Sequence, residues 1–490
     1  MSENKKSNYL KIKGNNSDDS YSTICYSENN RKRFRCDSRT NPPSGMDQEY
    51  RLTHFSILKE EIMKKKALSV MLSVSMALGL LAAVPMSAGA DEVEEITWMF
   101  WDDPETSEDL ISKGFGEVVD RFNADYEGKY HVNMITTQLE EYYTQLNALV
   151  AAGETPDVFI VSPGPNLTDY VEPGVAAPLD EYLEADGWKD TFSSDALFSQ
   201  MTYDDQIYAV PLNIAAACVF YNKDIFEEAG AEVPTTYDEL LEACQKIKDA
   251  GYTPITISAG TAWCLSMLAG YLCDREGVDL DAINAGDESW VQDKTIAAGE
   301  KLLELSQYFQ DSAAGDSNDD ATMAMAMGEA AILIQGSWAI GQMNAYNPDI
   351  EDVCGVFQFP AIEGGGDPGR TIAKSDSLAM SATTEHPEAA IALMKYFTDD
   401  EAQKYTAEVG GKIPVTNVEY DLDVAPAQLA DVMDVFSNAT GTFGFYNESL
   451  VSSDAGSEFD NQMVAIFQGE KTPEEAFQAV EDWYAENGYR

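Results

Sequence analysis

Residues 208–244 read YAVPLNIAAACVFYNKDIFEEAGAEVPTTYDELLEAC, a stretch in which a long apolar segment leads into a helix start. Thr236 and Glu239 have the spacing of a capping box, in which each side chain accepts a hydrogen bond from the backbone of the other. The run LLEACQKIKDAG follows and is closed by Gly251, a residue type that commonly ends helices. The second half of the stretch therefore predicts a helix that begins at about Thr236.

Short apolar strands alternate with amphipathic helices on both sides of this stretch. Strands are predicted at residues 96–101 and 158–161, and helices at residues 115–126 and 143–152. A second capping box, Thr472 with Glu475, predicts a last helix that runs to about residue 487. This alternation is typical of α/β layers.

The N-terminal part of the chain has the pattern of a secretory signal. Three lysines at residues 64–66 precede an apolar run at residues 67–84, and small residues stand at 88 and 90. Residues 63–90 are therefore predicted to be a signal peptide cleaved after Ala90, with a membrane anchor as the open alternative. A cysteine that could carry a lipid is missing just after the apolar run. Residues 1–62 are polar and are interpreted as a non-native or disordered extension.

The charge of the chain limits its partners. Residues 91–490 hold 76 acidic and 17 basic residues, a formal charge of −59. Such a surface repels phosphate backbones and anionic membranes, so nucleic acid is not predicted to be a partner. Anionic ligands are disfavoured at long range for the same reason. The acidity leaves neutral or cationic ligands.

The residues of common catalytic and metal sites are scarce. The chain has three histidines, of which His131 and His386 are interpreted as structural. No cysteine or histidine spacing indicates a metal site, and no cofactor motif is present. The acidic segment 311–320 is interpreted as a solvated loop. Five cysteines follow residue 90 and are predicted to be buried free thiols, with a Cys264–Cys273 bridge as the open alternative. The chain is predicted not to be an enzyme.

Several segments in order carry a family resemblance. They are FNADY (122–126), AAGETPDVFIV (151–161), YAVPLN (208–213), VFYNKDIFEEAG (219–230), VPTTYDELLEAC (233–244), MGEAAILIQGSWAI (327–340), SLAMS (377–381), HPEAAIALMKYFTDDEAQ (386–403) and GGKIPV (410–415). Together they resemble the family 1 extracellular solute-binding proteins of ABC importers, the group that contains maltose- and multiple-sugar-binding proteins. The resemblance covers essentially all of residues 91–490.

The resemblance implies a two-lobe, periplasmic-binding-protein-like α/β fold with several crossings between the lobes and a ligand cleft that closes by hinge motion. The expected parts are lobe 1 at residues 91–210 with about 372–413, lobe 2 at 211–371 with about 414–490, and crossings near 209–213, 370–376 and 413–417. The implied protein is a secreted or cell-surface receptor, a monomer, that delivers a carbohydrate to the permease subunits of an ABC importer.

A neutral sugar needs flat aromatic rings beneath its C–H faces and planar polar groups around its hydroxyls. Mapped onto the family pattern, the aromatic candidates are Trp101, Trp263, Trp338, Phe443 and Tyr446, the last two from an FGFY stretch in which the contacting ring stays open. The polar candidates are Asp102, Gln138, Ser162, Asn213 and Asp376. Trp338 has the strongest case because GSW stands where the family carries a stacking tryptophan. Trp98 is predicted to lie in the core.

Three functions stay open at this stage. The leading one is a carbohydrate receptor, although the sequence IVSPGPN after PDVF departs from the maltose-binding pattern and disfavours maltodextrin. The second is a receptor of the same fold for a cationic ligand such as a polyamine, which would need carboxylates boxed by aromatic rings. The third is a secreted glycosidase, because 76 acidic residues offer many carboxylate pairs.

Overall fold

The computed structural model describes residues 23–26, 33–36, 93–107 and 109–490. Strands β1 (Thr23–Tyr26) and β2 (Arg33–Cys36) pair with each other and belong to a compact unit that is separate from residues 91–490. The predicted signal peptide and its cleavage site lie outside the described residues. None of the described helices is both long and apolar enough to cross a membrane.

One mixed sheet runs through the larger unit. Its strands are β3 (Glu94–Phe100), β4 (Tyr130–Thr136), β5 (Val158–Val161), β8 (Ala209–Asn222), β9 (Thr253–Thr256), β10 (Ala330–Gly336), β11 (Cys354–Phe357), β12 (Arg370–Met380) and β13 (Gly441–Phe443). The main order is β4-β3-β5-β12-β8-β10-β9, with β11 paired to β8 and β13 paired to β12. Two short strands, β6 (Thr202–Tyr203) and β7 (Gln206–Ile207), form a separate hairpin.

Helices cover the faces of this sheet, as the alternating pattern predicts. In chain order they are α1 (Leu110–Asp125), α2 (Leu139–Ala152), α3 (Pro165–Val171), α4 (Asp180–Glu184), α5 (Lys223–Ala229), α6 (Tyr237–Asp249), α7 (Ala262–Glu276), α8 (Leu280–Asn284), α9 (Asp293–Ser306), α10 (Asn318–Ala326), α11 (Ala339–Tyr346), α12 (Ile350–Val353), α13 (Pro387–Phe397), α14 (Asp400–Glu408), α15 (Ala427–Ser437), α16 (Ser453–Phe467) and α17 (Pro473–Glu486). Short 3₁₀ helices lie at Ala185–Gly187, Lys189–Thr191, Asp195–Met201 and Tyr446–Glu448.

The apolar residues of these layers form two large cores, and each core defines a lobe. Lobe 1 is built around β3, β4 and β5 and includes Trp98, which is fully buried against Phe100 and Phe397. Lobe 2 is built around β9, β10 and helix α7, with the C-terminal helices α16 and α17 packed on it. The core position predicted for Trp98 is therefore confirmed.

The lobes are joined where the chain crosses from one to the other. Residues 209–216 of the 14-residue strand β8 pair with β12, and residues 217–221 pair with β10. The register of the β8–β12 pair shifts between Asp376 and Ser377. A third crossing lies beside them, because Ile214 and Ile413 exchange both backbone hydrogen bonds, at 2.8 and 3.0 Å. The fold is the two-lobe α/β architecture that the resemblance implied.

The local signals predicted from sequence are also found, with one exception. Both capping boxes form, at the starts of α6 and α17. The five cysteines after residue 90 are buried, and none of them is in a disulfide. The segment 311–320 is only partly a loop, because Ser317 makes its own capping box with Asp320 and starts α10 inside it. The acidic residues at this helix start stabilise it, because carboxylates interact favourably with the N-terminal end of a helix.

Candidate ligand-binding site

Three aromatic rings meet on the lobe 2 side of the cleft. Trp263 is at the start of α7, Trp338 follows β10, and Phe445 follows β13. The rings of Trp338 and Trp263 lie edge to face at 5.9 Å, and Trp338 and Phe445 do so at 5.8 Å. Position 336 needs glycine here, since a Cβ would come within 2.0 Å of the Trp338 ring. We call Trp263, Trp338 and Phe445 the aromatic cluster.

A charged pair closes over this cluster. The Lys374 ammonium lies 5.4 Å from the centre of the Phe445 ring and 2.8 Å from the Glu448 carboxylate. The same carboxylate oxygen accepts a hydrogen bond from the Ser162 hydroxyl of lobe 1 at 3.2 Å. Burial alone would lower the pKa of Lys374, but the Glu448 and Asp376 carboxylates outweigh it and raise this pKa above its ordinary value. The Glu448 carboxylate of lobe 2 therefore contacts both the Ser162 hydroxyl of lobe 1 and the Lys374 ammonium.

A second polar group lies at the crossings themselves. The Asp376 carboxylate accepts from the Asn213 amide at 3.5 Å and lies 3.4 Å from the Lys412 ammonium. Burial raises the pKa of Asp376, but Lys412 and Lys374 outweigh this, and the net pKa falls below the usual range. The buried Asn213 side-chain oxygen has no hydrogen-bond partner in the structure.

The remaining candidates of lobe 1 have other partners. Trp101 is half-buried and contacts Tyr142 edge to face at 5.4 Å. Asp102 accepts a 2.5 Å hydrogen bond from Ser107. Gln138 is exposed at the N-cap of α2 and makes no capping hydrogen bond with its side chain. The structure thus connects Ser162, Asn213, Trp263, Trp338 and Asp376 through Lys374, Phe445 and Glu448. Trp101 reaches Ser162 only through Tyr142 and Tyr143.

Two of the aromatic candidates need correction. Tyr446 is 2% exposed and packs in the lobe 2 core, where a Cβ at Gly270 would lie 3.2 Å from its ring. Phe443 contacts Tyr271 edge to face at 5.6 Å and lies under the Arg370 guanidinium at 5.0 Å. Neither ring faces the aromatic cluster. Phe445 is the ring of the FGFY stretch that does.

Three charged residues of the network were missed by the sequence analysis, namely Lys374, Lys412 and Glu448. A signal existed for Lys374, because it is two residues from Asp376 on one strand and strand residues at that spacing share a face. Lys412 lies within the GGKIPV segment that was assigned to a crossing. For Glu448, which follows the FGFY stretch in a single 3₁₀ turn, no comparable signal exists.

The two lobes touch at this site. The space left beside Lys374, Phe445 and Glu448 has a volume of about 10 Å³, which is room for one water molecule at most. In this structure the site therefore has no room for a ligand larger than water. In the described residues, no group of three or more His, Cys, Asp and Glu side chains is arranged to hold a metal ion.

A titratable carboxyl stands directly behind the site. The Asp460 carboxylate on α16 accepts a hydrogen bond from the Asn447 amide at 3.1 Å, and Asn447 is the neighbour of Glu448. Burial raises the pKa of Asp460 to about 6, since this hydrogen bond only partly offsets it. Because the unfolded chain has an Asp pKa of about 3.9, the folded protein holds this proton more tightly.

The raised pKa of Asp460 makes the free energy of unfolding depend on pH. Its contribution is most favourable below about pH 4 and is lost as the pH rises through about 6, where the folded carboxyl ionises. We expect the difference in unfolding free energy between Asp460→Asn and the wild type to shift in favour of the variant by about 1–2 kcal/mol between pH 4 and 7, allowing for partial solvent screening. Calorimetric melts across this range measure it. A difference independent of pH would contradict the assignment.

The comparisons with known proteins agree with this architecture. Residues 108–404 match the family described as bacterial extracellular solute-binding protein. The chain belongs to this family. A multiple sugar-binding protein of Streptococcus mutans is 28% identical over 312 residues, which cover 60% of this chain and 70% of that protein. A probable sugar-binding periplasmic protein of Rhizobium meliloti is 27% identical over 315 residues, 62% of this chain and 72% of its own length.

A solved structure gives the same result for the fold. It comes from work on xylan utilization by the thermophilic bacterium Caldanaerobius polysaccharolyticus and has a TM-score of 0.74 at 25% identity. The superposition covers 79% of this chain and 99% of that chain. The chain is therefore similar to that protein over the latter's whole length.

Proposed function

We propose that this protein is the extracytoplasmic receptor of an ABC importer and that it binds a carbohydrate between its lobes. The observation that carries the proposal is the aromatic cluster on lobe 2, which faces hydrogen-bonding groups on lobe 1 and at the crossings. The names of the Streptococcus mutans and Rhizobium meliloti relatives support the same ligand class.

The chemistry of the site fits a neutral sugar. The rings of Trp338 and Trp263 offer apolar surface to the C–H faces of a pyranose. The Glu448 carboxylate and the Asn213 side-chain oxygen can accept hydrogen bonds from hydroxyl groups, whereas Lys374 donates them. A sugar that enters the opened cleft replaces the direct Ser162–Glu448 contact with its own hydroxyls, so that closure of the lobes is coupled to binding.

The charges at the site argue against the two alternatives. The Glu448 and Asp376 carboxylates, which a polyamine would need, are already paired with the ammonium groups of Lys374 and Lys412. A glycosidase needs, beside its ligand, one carboxyl that stays protonated near neutral pH. Asp376 has a lowered pKa, and Asp460, whose pKa is raised, lies behind Asn447 and does not line the space at the aromatic cluster. We therefore propose that the protein acts by reversible binding and is not an enzyme.

The remaining parts of the proposal concern the cellular setting. Membership of the extracellular family supports export of the chain with cleavage after Ala90. It also supports a monomeric receptor that delivers its ligand to permease subunits. The acidity of residues 91–490 makes nucleic acid an unsuitable partner. Lobe boundaries near residues 210 and 371 stay predictions.

A ligand panel tests the proposal. At a hundredfold excess over the dissociation constant, bound ligand stabilises the folded protein by about 2.7 kcal/mol. For a folded unit of this size the melting temperature rises by about 3 °C. We expect at least one mono- or oligosaccharide to produce such a shift and to be recovered unchanged after incubation. A shift with polyamines alone, or turnover of a saccharide, would refute the proposal.

A further inference from the structure

Two buried oxygen atoms beside the binding site have no hydrogen-bond partner in the structure. One is Oδ1 of Asn447, in the 3₁₀ turn that ends at Glu448, and the other is Oδ1 of Asp460 on α16. The two side chains are joined through their other atoms, since the Asn447 amide donates to Oδ2 of Asp460 at 3.1 Å. Buried acceptors without a donor are rare in folded proteins, so this pair indicates a missing donor.

A proton on the Asp460 carboxyl supplies a donor at this place. An ionised carboxylate only accepts hydrogen bonds, whereas a protonated carboxyl also donates one through its O–H group. Burial raises the pKa of Asp460 to about 6. The Ser266 hydroxyl of α7 lowers this pKa less than burial raises it, and its oxygen lies outside hydrogen-bonding geometry. The raised pKa therefore agrees with a proton held beside Asn447 in mildly acidic solution.

The 3₁₀ turn is fixed by its packing on α16. A Cβ at Gly456 would come within 1.9 Å of the Asn447 backbone oxygen, so the helix backbone lies directly against the turn. At the end of the turn, the Glu448 carboxylate lies 2.8 Å from the Lys374 ammonium and accepts from the Ser162 hydroxyl at 3.2 Å. A change in the Asn447 contact to α16 therefore moves a carboxylate that contacts both lobes.

Glu448 is also the charged group with the largest effect on Asp460. The turn and the helices α3, α7, α9 and α17 pack on α16. Helix α7 presents the uncharged Ser266 hydroxyl, Asp169 of α3 contacts the start of α16, and the Glu458 carboxylate accepts a hydrogen bond from the side chain one turn later on α16. After burial, the influence that raises the pKa of Asp460 among the described residues is the Glu448 carboxylate. Repulsion between two carboxylates thus connects Asp460 to the site.

Ligand binding strengthens this repulsion. A saccharide at the aromatic cluster excludes water from the surroundings of Glu448, and charges interact more strongly where water is excluded. Ionisation of Asp460 also leaves the Asn447 oxygen without a donor and so loosens the turn. Both effects give Asp460 a higher pKa in the complex than in the free protein. Affinity is therefore greatest below the pKa of the free protein and is lost as the pH rises through that of the complex.

We propose that Asp460 is a positioning residue whose protonated carboxyl binds Asn447, holds Glu448 in its binding position and makes ligand affinity decrease from acidic to neutral pH. This inference rests on the proposed function, because the proposed function assigns Glu448 to the ligand. Asp460 does not itself line the space at the aromatic cluster. The inference adds a response to external pH that a neutral ligand alone would not give.

Infrared difference spectroscopy tests the proton without any ligand. A protonated carboxyl has a carbonyl band that an ionised carboxylate lacks, so subtracting the spectrum of Asp460→Asn from that of the wild type isolates this one group. We expect the band at about pH 5 and its loss at about pH 7.5. A carboxyl of Asp460 that is ionised at the lower pH would overturn the inference, and an ordered water would then be the partner of the two oxygens.

Calorimetric titration tests the coupling to ligand. The probe is whichever of glucose, galactose, maltose, xylobiose and cellobiose stabilises the wild type most in thermal melts. From about pH 5 to about pH 7.5 the wild type is expected to lose about three- to tenfold in affinity, which corresponds to a pKa difference of about half to one unit between complex and free protein. Asp460→Asn carries a permanent amide donor and is expected to bind at the higher pH as tightly as the wild type does at the lower.

Two further variants show whether the side chain itself is responsible. Asp460→Ala offers neither a donor nor an acceptor and is expected to bind more weakly than the wild type at both pH values. Its melting temperature without ligand shows whether it is folded. The matched control is Asp482→Asn, which removes an exposed carboxyl of α17 and is expected to keep the wild-type pH profile.

The outcomes separate the two proposals. A wild-type affinity independent of pH, the same loss in Asp460→Asn as in the wild type, or an unchanged affinity in folded Asp460→Ala would overturn the role of Asp460 and leave the carbohydrate receptor intact. No binding of any of these saccharides by a wild type with a normal melt and the expected infrared change would overturn the proposed function instead.

Discussion

Replacing Asp274 with asparagine is expected to destabilise the folded protein by about 3–5 kcal/mol, the largest effect on stability that we expect from a single polar side chain of this structure. Asp274 lies on α7 and binds two guanidinium groups, Arg275 at 2.6 Å and Arg370 at 2.5 Å. The side chain of Arg275 is fully buried. Without the carboxylate its charge would stay inside the protein, with backbone carbonyl groups and the rings of Tyr271 and Phe359 as its partners.

The location of this ion pair gives it a role beyond local packing. Arg370 is the first residue of β12, the strand that carries Lys374 and Asp376 and crosses between the lobes. The loop before it packs against the same helix, and a Cβ at Gly365 would lie 1.9 Å from the backbone oxygen of Arg275. The buried pair therefore fixes the entry of a crossing strand into lobe 2.

Thermal unfolding without ligand measures the effect of Asp274→Asn. For about 400 residues, a loss of 3–5 kcal/mol lowers the melting temperature by about 4–6 °C. The matched control is Glu242→Gln, which breaks a surface pair with Lys246 whose side chains are 66% and 40% exposed. That pair contributes about 0–1 kcal/mol. Equal melting temperatures for the two variants would show that the buried pair contributes no more to stability than the surface pair.

The fold could be predicted from the sequence because its signals are local. The capping box at Thr236 needs only residues three apart, and the strand 158–161 is an uninterrupted apolar run between turn residues. The segment 311–320 was wrongly predicted to be a loop throughout, because the prediction used its acidic, Gly- and Ser-rich composition and not the spacing of its residues. Ser317 and Asp320 have the same three-residue spacing as the other capping boxes and start a helix for the same physical reason.

The site could be predicted only in part because it depends on contacts between residues far apart in the chain. Extended alternation gives Phe443 and Phe445 a common direction, yet only Phe445 reaches Trp338. The 3₁₀ turn that starts at Tyr446 ends the alternation, and the missing side chain at Gly270 provides the space into which Tyr446 packs. Glu448 gains its role from a lysine 74 residues earlier in the chain, a relation that no local pattern contains.

Replacing Trp338 with alanine is expected to weaken saccharide binding by about 2 kcal/mol or more, the range for aromatic residues at the centre of a binding site. This loss corresponds to a factor of about thirty in the dissociation constant. Trp338 is half-buried, and its ring lies edge to face against both Trp263 and Phe445, so that truncation removes stacking surface and loosens its two neighbours. Trp338→Phe keeps a smaller aromatic face and is expected to retain part of the affinity.

A control tryptophan separates binding from folding. Trp188 is 6% exposed in the lobe 1 core, where its indole N–H donates to the Thr398 hydroxyl at 3.0 Å. Trp188→Ala is expected to lose about 3–5 kcal/mol of stability, the usual cost of truncating a core tryptophan, and to keep its affinity at temperatures where it is folded. Trp338→Ala is expected to do the opposite, with a melt close to the wild type and weak binding in calorimetry. A collapsed melt or an unchanged affinity for Trp338→Ala would remove the aromatic cluster from the ligand site, since a ring that only fills the core has no reason to affect binding at constant stability.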